Sequence, residues 1–328
     1  MRFFASGCVA AHPDITWCFR SGRLEMRWTL CPVFISSGIG LAVATLLSER
    51  TTPPWHIHIV DMNPSTGAAA AASLPCATFH RADVSDYSAL STVFAAIFAS
   101  EGRLDFVFGN AGIVERLNFV DAATKQVVAE GEGDAPPPSF PEGAMKVLDV
   151  NMESVLNTAF LAAHCMTRKK EGGDLVLTSS AAGIYPSALT PVYTAAKHGV
   201  LGLARSIAPR LHAAHNIRVN ALCPGVVSTS LLSAEEWDQV EIRPDTWTPV
   251  SCVANAVLRI VDCGTDLERP VVDSVGKEVK VGELFGRAFE CSGEKWYWRD
   301  PLPFCDERME LAFVADAQKM LWDEKRLE

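Results

Sequence analysis

Hydrophobic positions along this chain follow two rhythms that alternate. Short apolar runs rich in β-branched residues are separated by longer segments whose apolar residues recur every three or four positions. The runs at 33–35, "HIHIVD" (56–61), "LDFVFGNAG" (104–112), "DLVLTSS" (174–180), "IRVNALCPG" (217–225) and "GRAFECSG" (286–293) are expected strands, the last of them closing the sheet. Helical spacing covers Gly40–Arg50, with Leu41, Ala44 and Leu47 on one face, and residues 85–102, with Ser85 or Asp86 as N-cap. It covers 145–169 and 191–211 as well. Strand and helix in alternation imply an α/β, Rossmann-like, doubly wound parallel sheet in a single domain with a C-terminal extension. One strand fits poorly: "HIHIV" alternates His with Ile, whereas a parallel strand buried on both faces should be continuously apolar.

Several segments break the rhythm. Residues 1–30 lack a clear period and form an atypical N-terminal segment ahead of the domain at 31–293. "EGEGDAPPPSFPEG" (130–143) reads as a surface loop, and 268–285 as an insertion before the last expected strand. The tail, 294–328, carries Trp296, Tyr297, Trp298 and Phe304, too aromatic for a solvated end. It is expected to pack on the body or on a partner subunit.

Composition narrows the function. With 48% hydrophobic and 21% charged residues in 328, a large core is available. A net charge of −10 argues against nucleic acid and anionic membrane as partners. The ten cysteines show no CxxC pair, so no metal is expected, and reduced thiols suit a cytoplasmic protein. The apolar run in "MRFFASGCVAAH" is too short for a secretory leader, and no stretch has the roughly 18 apolar residues of a membrane helix.

Chemistry concentrates in a few places. "CPVFISSGIGLAVATLLSER" (31–50) sets Gly38 and Gly40 at a helix start, the arrangement that brings backbone amides to a dinucleotide's phosphates. Phe34 or Ile35 stands where the glycine of the tight turn belongs, and Pro32 removes a ladder donor from a central strand. Tyr193 and Lys197 in "YTAAK" lie four apart on one helical face. An ammonium beside a phenol lowers its pKa from about 10, making it an acid/base for a carbonyl or alcohol. Ser180, at the end of "DLVLTSS", can hydrogen-bond the reacting oxygen. Asn151 sits inside a helix, where it either faces solvent or holds a water that passes protons towards Lys197.

The ordered series GIG, D, DV, NAG, N, SS, YxxxK, N and PG resembles the short-chain dehydrogenase/reductase family over residues 33–293. The resemblance implies a catalytic tetrad of Asn151, Ser180, Tyr193 and Lys197. It also implies a nicotinamide cofactor held by Ser37, Gly38, Ile39 and Gly40, by Asp83 and Val84 at the adenine, and by Asn110, Ala111 and Gly112. Tyr193, Lys197, Pro224, Gly225, Val227 and Thr229 complete the implied cofactor contacts. Asp61 ends "HIHIVD", where a carboxylate accepts from a ribose 2′-hydroxyl and repels a 2′-phosphate; with no cation in "VDMNPSTG", NAD is favoured over NADP.

The stretch after Thr229 offers Leu231, Leu232, Trp237 and Trp247, with Arg243 as its cation. It reads as a lid over a hydrophobic alcohol or ketone, the two tryptophans serving either substrate or lid core. The tail is similar to fungal 15-hydroxyprostaglandin dehydrogenase-like members, which implies secondary-alcohol oxidation in secondary metabolism. The expected function is NAD-dependent alcohol–ketone interconversion by a homodimer or homotetramer. The alternatives are an isomerase on the same scaffold and a non-catalytic homologue with impaired cofactor binding. If residues 1–35 are intron sequence translated in place of a normal first strand, the transcript will show it; if they are native, weakened NAD affinity with an unchanged fold is expected.

Overall fold

In the computed structural model the strand–helix alternation builds one mostly parallel sheet covered on both faces. The structure describes residues 8–12, 15–18, 28–33, 37–50, 54–116, 119–129, 139–169, 171–238, 243–261 and 266–313. Strands β1 (Cys8–His12) and β2 (Ile15–Cys18) pair antiparallel as a separate hairpin. The main sheet begins with β3 (Trp28–Val33), followed by α1 (Gly38–Ser48), β4 (Trp55–Asp61), α2 (Pro64–Ser73) and β5 (Ala77–Arg81). Next come α3 (Tyr87–Glu101), β6 (Phe106–Gly109), α4 (Phe119–Ala129), α5 (Glu142–Leu148), α6 (Ser154–Met166) and β7 (Gly173–Thr178). The long α7 (Pro191–His215) precedes β8 (Ile217–Pro224), α8 (Ala234–Asp238) and α9 (Val250–Val261). A small hairpin, β9 (Pro270–Val272) and β10 (Glu278–Lys280), leads to β11 (Ala288–Ser292) and β12 (Lys295–Arg299).

Across the main sheet the order is β12-β11-β8-β7-β6-β3-β4-β5. The chain runs outward from β3 to β5, restarts beside β3 at β6, and runs the other way. Such a reversal opens a crevice at the carboxyl ends of the strands, between β3 and β6. Alternation across each strand assigns residues to the two covering layers. Trp55, Ile57 and Ile59 of β4 join the layer of α1, α2 and α9, while Val60 joins that of α3, α6 and α7. Fully buried Phe106, Phe108, Leu47 and Ile57 each contribute about 1.5–3 kcal/mol from removal of apolar surface from water. Among the described residues no helix is long and apolar enough to cross a membrane.

Three boundaries differ from the sequence expectation. The first strand of the sheet is Trp28–Val33 rather than 33–35, so part of the atypical segment supplies a central strand. Its pairing with β6 is continuous from Leu30 to Val33, while pairing with β4 runs through Trp28, Thr29 and Leu30 and resumes at Val33. The interruption brackets Pro32, which has no N–H to give. Positions 34–36, where the tight-turn glycine is missing, and residues 130–138 of the Pro-rich loop lie outside the described residues.

The second difference is at the far edge. "GRAFECSG" is not the last strand: a two-residue turn, with Gly293 at φ +56°, sends the chain into β12. Trp296 and Trp298, expected in a packing tail, are core residues of that strand, with rings 5.0 Å apart in an edge-on pair. The chain divides after Trp298 into two compact units. In the second, Arg299–Glu328, Asp306 caps a helical turn by accepting from Met309 N–H at 2.8 Å, and Phe304 meets Phe313 at 6.0 Å. Third, the helix expected at 145–169 is continuous but contains a π turn, Asp149–Glu153, between α5 and α6. Such an insert is often found at a functional site.

At the amino ends of the strands the sheet is tied by ion pairs. Arg218 of β8 donates twice to Asp174, its register partner on β7, at 2.8 and 2.7 Å. Asp105 holds both Arg103 and Lys169. Burial pushes the Asp174 carboxyl up, opposed by Arg218. Replacing Asp174 by Ala leaves the partly buried Arg218 guanidinium without this partner, and should lower stability by about 2–4 kcal/mol in urea denaturation. The double change Asp174→Ala with Arg218→Met should recover much of that loss.

Candidate active site

A cavity of about 470 Å³ opens at the crevice that the strand order creates. It brings together Ser37, Gly38, Ile39, Asp61, Asn110, Ala111, Gly112, Ser180, Tyr193, Lys197, Pro224, Gly225, Val227 and Thr229, all expected from the sequence. Gly40 lies behind it, buried in α1. Asp83 and Val84 are not among its walls: Asp83 accepts from the Ser85 N–H and hydroxyl at 3.0 and 2.7 Å, and Val84 is in the core.

The start of α1 forms one wall. Gly38 has φ +58°, and a Cβ there would come within 3.2 Å of the Thr229 side chain, so glycine meets both the backbone and the space requirement. Ser37 is the N-cap, yet its hydroxyl does not cap α1 and instead meets the Ser230 hydroxyl at 2.7 Å. The first amides of α1 therefore face the cavity without a side-chain cap, a positive end suited to an anion. Asp61 accepts from Asn63 N–H at 2.9 Å at the end of β4. The sheet register sets Arg81 of β5 beside it. That cation is twenty positions on and invisible to a search of the residues following Asp61.

Lys197 is buried, and its ammonium donates to the Thr178 carbonyl at 2.9 Å. Burial lowers its pKa to about 8. Its nitrogen lies 5.6 Å from the Tyr193 ring centroid. Burial raises the Tyr193 pKa, and a hydrogen bond with Ser180 offsets part of the rise. The expectation that Lys197 lowers the phenol's pKa is not met: the shift is upward, and Ser180 rather than Lys197 is what opposes the loss of solvent. Ser180 Oγ accepts from Ala182 N–H at 3.1 Å, which leaves its proton to donate. Close behind, the Ser179 hydroxyl donates to the Lys197 carbonyl at 2.7 Å, over Gly183, where a Cβ would collide with Ser179 Oγ at 2.1 Å.

Asn151 sits in the π turn and is fully buried, so it does not face solvent. Its Nδ2 donates to Ile113 O, and its Oδ1 accepts from Ile113 N–H, both at 2.8 Å. Both polar atoms of the side-chain amide are thereby engaged with the Ile113 backbone. A Cβ on Gly112 would lie 3.3 Å from Asn151 Oδ1 and 3.5 Å from Lys197 Nζ, so this glycine occupies the narrow space between them.

Beyond Ile113 the same segment makes two connections that the sequence did not suggest. Glu115 is buried, and its Oε2 accepts from the N–H groups of Val192 and Tyr193 at 2.8 and 3.0 Å. It caps α7 from a distance, since the N-cap Thr190 makes no side-chain cap. Arg116 donates to Glu236 at 2.6 and 3.2 Å and so fastens α8. Glu236 and Ser233 close a capping box there, and Trp237 Nε1 donates to Thr229 O at 2.9 Å. Leu231, Leu232 and Trp237 line the cavity, whereas Trp247 packs against Trp237 with centroids 5.1 Å apart. Arg243 is 80% exposed and paired with Asp245, so it offers the cavity no charge.

Comparisons with known proteins agree with this geometry. The family model described as short chain dehydrogenase matches residues 35–239. Short-chain dehydrogenase/reductase prx7 of Penicillium rubens is 43% identical over 274 residues, covering 83% of this chain and 93% of that protein. The human 15-hydroxyprostaglandin dehydrogenase [NAD(+)] is 30% identical over 213 residues, covering 62% of this chain and 70% of its own. A solved structure described as ElxO with NADP bound superposes with a TM-score of 0.59 at 21% identity, covering 72% of this chain and 92% of that one. At that identity the superposition speaks for the fold alone.

Glu115→Ala should remove the remote cap and lower stability by about 1–2 kcal/mol, read by chemical denaturation. Loosening the first turn of α7 displaces Tyr193, so turnover should fall about 10- to 100-fold. Glu115→Gln keeps one acceptor and should lose less of both.

Proposed function

The chain belongs to the short-chain dehydrogenase/reductase family, and from that premise we propose that it is an NAD-dependent oxidoreductase interconverting a hydrophobic secondary alcohol and its ketone. The observation that carries the reading is one cavity holding Tyr193, Ser180 and Lys197 at one end and Asp61 with the uncapped start of α1 at the other. These residues fit a nicotinamide dinucleotide. Gly38 leaves room for close approach, the α1 amides suit a pyrophosphate, and the Asp61 carboxylate suits a ribose diol. When bound, such a cofactor takes up or supplies a hydride.

The chain's own residues handle the proton. Tyr193 takes it from the alcohol in oxidation and returns it in reduction, and the Ser180 hydroxyl steadies the same oxygen. Lys197, held by Thr178, supplies positive charge below the phenol and a donor for a ribose hydroxyl. Asn151 acts by position, fixing Ile113 and so the Ala111–Gly112 wall. The substrate end is lined by Val114, Leu189, Leu231, Leu232 and Trp237, and Lys197 is the one cation among the described lining residues. A phosphorylated or coenzyme-A-linked substrate finds no partner there.

The names of two relatives support the cofactor and the chemistry. The human relative is named as an NAD(+)-dependent dehydrogenase of a hydroxyl group, and the fungal prx7 relative as a short-chain dehydrogenase/reductase. Arg81 beside Asp61 is the feature that favours NADP instead. A homo-oligomer remains the proposed assembly, and Tyr87, Leu156 and Phe160 expose apolar surface on α3 and α6 that suits it.

Three measurements test the proposal. Calorimetry should give tighter binding of NAD than of NADP, with the preference falling about tenfold or more in Asp61→Ala; tighter NADP binding would overturn the cofactor assignment. Tyr193→Phe should lower turnover of secondary alcohols by about 100-fold or more while cofactor binding stays intact. Because burial raises the Tyr193 pKa above its ordinary value of about 10, the phenolate becomes populated only in the alkaline range. Oxidation should therefore speed up as pH rises and reduction should slow, in parallel initial-rate profiles.

A further inference from the structure

The His–Ile alternation of β4 has a purpose at the other end of the strand. Side chains at i and i+2 share a face, so His56 and His58 project together towards the layer that holds α3. Glu101 is the last residue of α3, whose chain ends there in Gly102 at φ +68°. Since Asp61 ends β4 at the cavity, His56 lies roughly 17 Å away along the strand, at about 3.3 Å per residue.

We propose that His56, His58 and Glu101 form a binding site for a divalent transition metal, zinc by preference, distinct from the catalytic cavity. Nδ1 of His56, Nε2 of His58 and a Glu101 carboxylate oxygen all lie within 4.8 Å of one another. The His56 and His58 nitrogens are 2.8 and 3.5 Å from Glu101 Oε1. Two ligand atoms held about 2.0–2.1 Å from a tetrahedral ion stand about 3.3 Å apart, so the observed spacings bracket the required one. The three side chains are 12%, 3% and 16% exposed, so the ligand atoms are largely screened from bulk solvent.

The cluster is a histidine–carboxylate ion pair whose three ligand atoms also converge. Neither His56 Nδ1 nor His58 Nε2, both buried, makes an aligned hydrogen bond with a described residue. Ligand lone pairs aim at an ion rather than at one another. The opposite ring nitrogens are engaged: His56 Nε2 meets Thr78 Oγ1 at 3.1 Å, and His58 Nδ1 meets His80 Nε2 at 3.0 Å. If those outer nitrogens carry the protons, the inner ones are free to coordinate, and Thr78 and His80 become the outer partners that orient metal-bound imidazoles. Two imidazoles and a carboxylate suit zinc over magnesium or calcium, with a fourth position left for water. None of the ten cysteines is needed, so the site is independent of the missing CxxC pattern.

The ion would join the start of β4 to the end of α3, a structural rather than catalytic task. The test uses the full chain, stripped of metal with a chelator and titrated with zinc chloride in a calorimeter. One zinc per chain is expected, with a raised melting temperature, since an ion at a hundredfold excess over Kd shifts the folding equilibrium about a hundredfold. His58→Gln and Glu101→Gln should each weaken binding at least tenfold. X-ray absorption of the zinc-loaded wild-type protein covers the case in which a variant fails to fold: nitrogen and oxygen neighbours with imidazole scattering are expected. No zinc uptake by the folded wild type, sulfur among the neighbours, or undiminished binding by the folded variants would each overturn the site.

Discussion

Two hydrogen bonds between the Asn151 amide and the backbone of Ile113 set the frame for the whole cavity. An amide side chain matches a peptide group donor for acceptor, so the pair fixes both position and rotation of the loop after β6. The π turn is what brings Asn151 to that place within an otherwise continuous helix. From Ile113 the consequences spread in both directions. Backward, Gly112 is held in the slot between Asn151 and Lys197. Forward, Glu115 steadies the first turn of α7 under Tyr193, and Arg116 fastens the short helix that carries Trp237. Five residues thus position the acid/base, its neighbouring cation and one substrate wall.

The sheet topology supplies the place and these contacts supply the precision. A crevice at the β3–β6 reversal exists for any doubly wound chain. What makes this one suited to an alcohol is the contrast between its ends: a polar floor of Thr178, Ser180 and Lys197, and walls of leucine, valine and tryptophan. Desolvation acts on both ionisable groups at the floor, pulling Lys197 down and pushing Tyr193 up. Their ordinary pKa values are close, and burial separates them.

Much of this was legible before any coordinates. The strand–helix rhythm specified the layers, and Ser180, Tyr193 and Lys197 fall around one cavity because each sits at the carboxyl end of a strand or on the helix that follows, while Asn151 lies buried behind its wall. The errors have physical causes. β3 begins inside a segment with no apolar period, because a central strand can be built by its neighbours' pairing even when its own sequence is irregular. Tyr193 was expected to be acidified because spacing reveals proximity but not solvent loss. Glu115, Arg116 and Arg81 escaped notice since each acts on a partner far along the chain: Glu115 and Val192 are 77 positions apart, and Arg116 and Glu236 are 120 apart. Such pairs leave no local pattern. The histidines of β4 were visible as an anomaly in a buried strand, but Glu101, which gives them a meaning, comes from the end of another element.

The contact between the start of α1 and the turn at Thr229–Ser230 also links the two ends of the cavity. Ser37 meets Ser230 and Gly38 abuts Thr229, while Trp237, which lines the substrate end, grips the Thr229 carbonyl. The floor of the dinucleotide groove and the roof of the alcohol pocket are therefore parts of one mechanical body. A substitution that moves the Thr229–Ser230 turn therefore bears on both ends at once, and any coupling free energy between ligands held there acts equally on each.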